Sequence, residues 1–264
     1  MLIDREIAAI ATLAVYAAIA FASIAWQVKH KAGRLGLWFL YTVEKVYAPL
    51  FFHWRANRRC PFPDDGPAII LANHRSPVDP VFVWAQHHLA GPSGHMRPIS
   101  FMTAKEYFDV PGVGWICRTL HSIPVNRDGA DMGPVREALR RLHNGELVGV
   151  FPEGRINKGE GLLPGNPGIA WLALTAKVPV FPVFVHGAPQ GRSMIEPFYA
   201  RTRVRVSYGD SIDLSAFYGQ RKTRELLQEV TELMMTRLGQ VGGLDEFTGE
   251  NIEYPTLPIT RATG

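Results

Sequence analysis

Cysteine is nearly absent from this sequence: Cys60 and Cys117 are the only two in 264 residues, and they stand far apart. A disulfide framework is not supported, and no Cys/His pattern with the spacing of a zinc site accompanies them, so both read as reduced packing residues. Internal repeats and low-complexity tracts are missing as well. A strong charge of one sign is also lacking. Lys and Arg number 28 against 24 Asp and Glu, a mild basic bias that suits phospholipid surfaces, coenzyme A or nucleic acid and by itself chooses none of them. With 47% hydrophobic residues the chain can bury one substantial core, and its length fits one large domain plus an appendage better than two full domains.

What is present is most distinctive near the N-terminus. Ile7 to Val28 carries no charge over 22 residues. At ~1.5 Å per residue a helix of that length crosses a ~30 Å hydrocarbon layer. A cleaved signal peptide is basic before a shorter apolar core, whereas here Asp4, Arg5 and Glu6 precede the run and Lys29, His30, Lys31 and Arg34 follow it. The positive-inside rule keeps that basic flank, and the chain after it, cytoplasmic. The alternatives are an Ala-rich core helix or a helix lying in the membrane plane. Leu35 to Trp54 then mixes Trp38, Phe39, Tyr41, Tyr47, Phe51 and Phe52 with Glu44, Lys45 and His53, which suits either a helix at headgroup level or one packed on the domain.

After a linker at Asn57 to Pro67, short β-rich runs alternate with helical patterns. Strands are expected at Ala68–Ala72, Ile99–Thr103, Ser122–Val125, Leu147–Phe151, Val178–Val185 and Val204–Tyr208, and helices at Pro77–Ala90, Pro134–His143, Gly168–Lys177 and Thr223–Leu238. The expected fold is α/β, a central β-sheet flanked by helices and preceded by a membrane-associated two-helix segment. The expected organisation is N-terminal helices over 1–56, an α/β domain over 57–241 and a tail over 242–264.

Two motifs carry chemistry. In Asn73-His74-Arg75-Ser76-Pro77-Val78-Asp79, an apolar strand precedes the histidine, and Ser76 followed by Pro77 reads as a helix start with Ser76 as cap. Asp79 then falls within reach of the imidazole, where a carboxylate fixes the tautomer and stabilises the charged form; such a pair can deprotonate an alcohol. That spacing arises easily by chance. The second motif, Phe151-Pro152-Glu153-Gly154 followed by Arg155, is much rarer and sets a carboxylate and bare backbone at a strand's end, the usual ligand crevice of an α/β sheet.

With these two blocks in order, the chain resembles the 1-acylglycerol-3-phosphate acyltransferase family, also called lysophosphatidic acid acyltransferases. Ile123-Pro124-Val125-Asn126-Arg127 and Val178-Pro179-Val180-Phe181-Pro182-Val183 match two further, looser blocks, and Thr103-Ala104-Lys105-Glu106 is similar too. The resemblance implies that His74 is the general base, that Asp79 orients it, and that the alcohol attacks an acyl thioester directly without an acyl-enzyme. It implies that Arg127 and Lys105 bind the acceptor's phosphate while Glu153 and Gly154 shape the acceptor site, with Arg155 counted among the substrate-binding residues. Donor and acceptor are then an acyl-CoA or acyl carrier protein thioester and a lysophospholipid, beside an anionic membrane surface; no cofactor, metal or nucleic acid is called for.

The sequence departs from the family pattern where Arg155 follows Gly154 directly, at Leu162-Leu163-Pro164-Gly165, and at His121 before the second block. These departures bear on the acceptor headgroup: the resemblance implies the free sn-2 hydroxyl of 1-acylglycerol-3-phosphate as acceptor, giving phosphatidic acid, with another lysophospholipid or glycerol-3-phosphate as the alternatives. The competing class is a non-catalytic lipid-binding protein, which needs no base and orienter. Among the other polar residues, His87, His88 and His95 lack metal-ligand surroundings. Arg201, Arg203 and Arg205 share one strand face, fit either for anionic groups of a donor or headgroup or as a charged edge.

Overall fold

Side chains buried on both faces mark a strand in the middle of a sheet covered by helices on each side. Ala68–Ala72 is buried at all five positions and Val180–His186 at five of seven. In the computed structural model, which describes residues 2–85, 96–126 and 132–244, these runs are neighbouring strands in the middle of the sheet. The elements in order are α1 (Leu2–Gln27), α2 (Leu35–Phe52), β1 (Arg55–Ala56), β2 (Ala68–Ala72), α3 (Asp79–Ala85), β3 (Ile99–Ala104), α4 (Val113–Thr119), β4 (Ile123–Val125), α5 (Gly133–His143), β5 (Leu147–Val150), α6 (Gly168–Ala176), β6 (Val180–His186), β7 (Arg205–Tyr208) and α7 (Arg224–Val241).

The sheet order is β1-β7-β6-β2-β5-β3-β4. Strands β6, β2, β5, β3 and β4 run parallel; β7 is antiparallel to β6 and parallel to β1. On one face Ile69, Leu71, Val148 and Val150 meet residues of α5, α6 and α7, among them Leu142, Leu172 and Met234. On the other, Ile70, Ala72, Val183 and Val185 meet Leu37 and Phe52 of α2 and Phe82 of α3. The architecture is the expected one, a central sheet with helices on both sides.

Local differences have local causes. Helix α3 starts at Asp79, two residues after Pro77, because the Asp79 carboxylate bonds the backbone N–H groups of Arg75 and Ser76 and holds 74–78 as a turn. Helix α7 runs through Gly239 to Val241, and Thr223 caps its start by accepting from the Leu226 N–H. Strand β1 is too short to show alternation. Helix α4 is hidden by its glycines, yet Gly114 is required: a Cβ there would sit 2.1 Å from the Phe108 carbonyl oxygen of the preceding 3-10 turn. The end of the helix expected as far as Ala90, the residues Arg127, His87, His88 and His95, and the tail beyond Leu244 lie outside the described residues.

Helix α1 leaves Ile10, Leu13, Ile19 and Phe21 exposed, and the stretch Ala9–Ala32 is long and apolar enough to cross a membrane. A π-helical turn, Val28–Ala32, carries Lys29, His30 and Lys31 and leads to Gly33 at φ 70°. Helix α2 has two apolar faces. Leu37, Ala48 and Phe52 are buried, with Phe52 edge-on to Phe82 at 4.8 Å, while Leu35, Phe39, Val43, Val46 and Leu50 stay exposed. Helix α2 thus has one face for each of the two roles considered for it.

Glu44 lies on the buried face of α2, 6% exposed, and its Oε1 has no hydrogen-bond partner among the described residues. Burial pushes its carboxyl well above the usual range. The folded chain therefore holds a proton that the unfolded chain has released, and this contribution to stability declines as pH rises from the unfolded value to the folded one. Glu44→Gln removes that slope. Its melting temperature relative to the parent protein should rise with pH above about 5, starting near the unfolded pKa. A difference that stays constant across pH in thermal unfolding of the detergent-solubilised protein contradicts this.

Candidate active site

Parallel strands bring their carboxyl ends to one edge of a sheet, and ligands of open α/β folds bind outside that edge. Here β2 ends before Asn73 and His74, β5 before Phe151 to Arg155, β3 before Lys105, and β4 before Asn126. The strand order places these loops side by side as β2-β5-β3-β4. The order of the motifs along the chain becomes an order in space.

Asn73 prolongs β2 by side chain. Its Oδ1 accepts the Val185 N–H at 2.7 Å and its Nδ2 donates to the Val185 carbonyl at 3.1 Å, a backbone-like pair that ties the turn to β6. His74 follows. Its Nδ1 lies 3.0 Å from Asp79 Oδ2, which also accepts the N–H groups of Arg75 and Ser76, each at 2.7 Å. The Asp79 side chain is fully buried and that of His74 is 17% exposed. A carboxylate oxygen only accepts, so Nδ1 carries the proton and Nε2 is left with its lone pair.

The plane of the imidazole is set by stacking. It lies on the Phe151 ring at 4.1 Å and 15°, and Phe151 lies on Phe101 at 5.2 Å and 14°. Gly149 makes room: a Cβ there would sit 2.4 Å from the Phe101 ring. A glycine inside an apolar strand signals such a close approach, and this was the available sequence clue to the stack.

Glu153 is buried, and both of its oxygens bond within the protein. Oε1 accepts the His74 backbone N–H at 2.9 Å; Oε2 accepts Asn157 Nδ2 at 2.8 Å and the Leu163 N–H at 2.9 Å. Burial raises its pKa, opposed by the hydrogen bonds from His74, Leu163 and Asn157. Asn157, which sequence reasoning missed, donates its N–H to the His74 carbonyl at 2.7 Å and its Nδ2 to the Gly161 carbonyl at 3.0 Å. Arg75 reaches the Gly159 and Gly161 carbonyls of the same loop. Residues 153–163 thereby clasp the histidine turn from both sides.

Of the remaining sequence-derived residues, Gly154 adopts φ 67° in the turn after Pro152, a conformation that favours glycine. Arg155 and Lys105 are exposed at the carboxyl edge of the sheet, Lys105 at the start of the 3-10 turn that leaves β3. Arg127, which follows Asn126 in sequence, lies outside the described residues. Cys117 is buried on α4 and Cys60 half-buried before β2, neither of them in the His74 turn. Among the described residues no group of three or more His, Cys, Asp or Glu could hold a metal ion.

Comparison with known proteins agrees on the fold and on the kind of protein. A family model described as Acyltransferase matches residues 55–186. The chain is 23% identical over 143 residues to the 1-acyl-sn-glycerol-3-phosphate acyltransferase of Bacillus subtilis, covering 54% of this chain and 68% of that one. It is 28% identical over 153 residues to the lyso-ornithine lipid O-acyltransferase of Pseudomonas aeruginosa, covering 58% and 53%. Several curated relatives are longer, and the match spans as little as 36% of their length. Among solved structures, the 1-acyl-sn-glycerophosphate acyltransferase PlsC from Thermotoga maritima shares the fold, with a TM-score of 0.58, 24% identity and 79% of each chain covered.

Proposed function

The chain belongs to the Acyltransferase family, and from that premise we propose that it moves a fatty acyl group from a thioester to the free sn-2 hydroxyl of 1-acylglycerol-3-phosphate, giving phosphatidic acid. The observation that carries this reading is the oriented pair at the catalytic edge, with His74 Nδ1 fixed by Asp79 and Nε2 free to take a proton. As the hydroxyl oxygen attacks the thioester carbonyl, Nε2 accepts the hydroxyl proton; when the C–S bond breaks, the imidazolium returns the proton to the leaving sulfur. Transfer is direct: the acceptor's own oxygen takes the acyl group, with no acyl-enzyme between. A protein that only bound lipid would have no use for this pair.

Lys105 and Arg127 hold the acceptor's phosphate, the arginine with a planar fork that matches two oxygens, and the Gly154–Arg155 turn borders the same loop cluster. The relatives' names divide between a glycerol phosphate and an ornithine lipid, which makes the acceptor panel decisive. Purified protein with radiolabelled acyl-CoA should prefer lysophosphatidic acid to lysophospholipids whose phosphate is a diester and to lyso-ornithine lipid. Preference for a diester or a phosphate-free acceptor would overturn the monoester assignment and leave acyl transfer in place. Lys105→Ala should cost roughly tenfold or more in kcat/KM toward lysophosphatidic acid, the loss of one charge-assisted contact.

The segment 1–56 keeps the catalytic unit, read as 57–241, at the cytoplasmic face of the membrane. The uncharged run of α1 and the basic turn that follows it support this orientation. The protein should remain with membranes through high-salt and carbonate washes. Release of most of it by carbonate would mean that α1 does not span.

A further inference from the structure

A second group of cations stands at the catalytic edge, on the other side of His74 from Lys105. Strands β7 and β1 run opposite to β2, so their first residues lie at the edge where β2 ends. The register sets Arg205 beside both Arg55 and His186. Residues paired across strands share a face, so these three side chains stand together. Arg203 joins them: residues 201–206 alternate, with Val204 and Val206 buried and Arg201, Arg203 and Arg205 exposed. The approach to β7 is pinned. Val204 donates its N–H to the Phe52 carbonyl and Arg55 donates to that of Val204, while Gly187, at φ 68°, is bare where a Cβ would sit 2.3 Å from the Arg203 carbonyl oxygen.

Among the described residues none of Arg55, Arg201, Arg203 and Arg205 forms an ion pair. Like charges set side by side in a ladder destabilise it, and an edge strand kept from aggregating needs only scattered charge. Several guanidiniums crowded at the carboxyl edge call for a ligand with several negative charges.

We propose that the arginine cluster of β1, β7 and the approach to β7 binds the phosphates of coenzyme A, its 3′-phosphate and diphosphate, so that the acyl donor enters over β7 and β6. The inference rests on the acyl-transfer reading. Direct transfer requires both substrates on the protein at once, and the strand order supplies the room. From β2 to β7 is two strand spacings, ~10 Å, a gap that an extended pantetheine arm spans; β3, with Lys105, stands two strands away on the opposite side. Donor and acceptor phosphates thus flank the histidine without competing.

The test uses the full-length protein in detergent. The double variant Arg203→Glu/Arg205→Glu should raise KM for acyl-CoA by about tenfold or more while KM for the acceptor stays within about twofold. Arg205→Lys should fall between the double variant and the parent protein, and unchanged thermal unfolding will show that the fold survives. Adenosine 3′,5′-bisphosphate should compete with acyl-CoA for the parent protein and much less for the double variant. An acyl-CoA KM unchanged within twofold overturns the inference, as does a loss confined to acyl carrier protein donors or to binding of anionic vesicles. Binding of the bisphosphate to His74→Ala, with and without the charge reversals, separates the two readings. Binding that the reversals abolish, in a protein whose parent transfers no acyl group to any acceptor, means that acyl transfer fails while the anion site stands. Transfer that proceeds while bisphosphate binding ignores the reversals means the converse.

Discussion

His74→Ala should retain on the order of a thousandth of the parent turnover, the usual contribution of a positioned general base being about 10²–10⁴-fold, with thermal unfolding nearly unchanged. The ring lies at the open edge of the sheet, stacked on Phe151 on one side and partly exposed, so its removal deletes a base without opening the core. Asp79→Asn tests the orienting charge separately from the turn. Asp79 Oδ2 accepts all three hydrogen bonds, while Oδ1 is buried without a partner among the described residues. An asparagine can keep its carbonyl oxygen at the Oδ2 position and place its amide at the empty one. The turn survives at the cost of a buried unsatisfied NH2, and the imidazolium loses its compensating charge. Turnover should therefore drop by about a hundredfold or more, with a smaller change in KM. Asp79→Ala should in addition destabilise the fold, because the Arg75 and Ser76 N–H groups lose their acceptor. If His74→Ala worked within about threefold of the parent protein, the base would have to be sought elsewhere.

The strands of this fold were legible because parallel strands buried on both faces are short apolar runs bounded by turn residues, as Ala68–Ala72 and Leu147–Val150 are. Helices α5 and α7 were legible for the corresponding reason, an apolar face at helical spacing, and α6 as an apolar run rich in Ala and Leu. What the sequence concealed depends on contacts between segments distant in the chain. Strand β1 exists only because Arg55 and Asn57 bond to Val204 and Val206. Ser76 caps as its sequence position suggests, its Oγ accepting the Val78 N–H, but α3 starts at Asp79 rather than Pro77 because residues 77 and 78 stay in the turn that the Asp79 carboxylate closes on the N–H groups of Arg75 and Ser76.

The site divides in the same way. The reach of Asp79 to His74 follows from spacing along the chain. The clasp by Glu153 and Asn157 joins loops some eighty residues apart, and no local pattern announces it. Gly149 was visible as a glycine inside a strand, but only the register with Phe101 gives it meaning. The arginines of β7 show a shared face in sequence; their place at the catalytic edge, beside Arg55 and His186, required the antiparallel turn of β7 against β6.

Glu153→Gln should lose activity through kcat rather than KM, and should lower the melting temperature by several degrees. Sequence resemblance assigns this carboxylate to the acceptor site, where removing it would chiefly raise KM for the acceptor. The geometry gives a different expectation. Both oxygens face donors: the His74 N–H on one side, Asn157 Nδ2 and the Leu163 N–H on the other. An amide has one accepting end, so either orientation turns an NH2 toward a buried N–H and leaves donors facing donors. The cost is about 1–3 kcal/mol for each donor left unsatisfied, and the turn that holds the imidazole loosens. A base displaced by a fraction of an ångström no longer meets the attacking hydroxyl in line, which lowers the rate of the bound complex more than its formation. Asn157→Ala should reproduce the pattern more mildly, since the Asn157 N–H that bonds the His74 carbonyl belongs to the backbone and remains. Steady-state kinetics and calorimetry on the two variants together decide the matter. A rise in acceptor KM with kcat and melting temperature preserved returns Glu153 to the acceptor; a coupled fall in kcat and stability makes it the clasp of the catalytic turn.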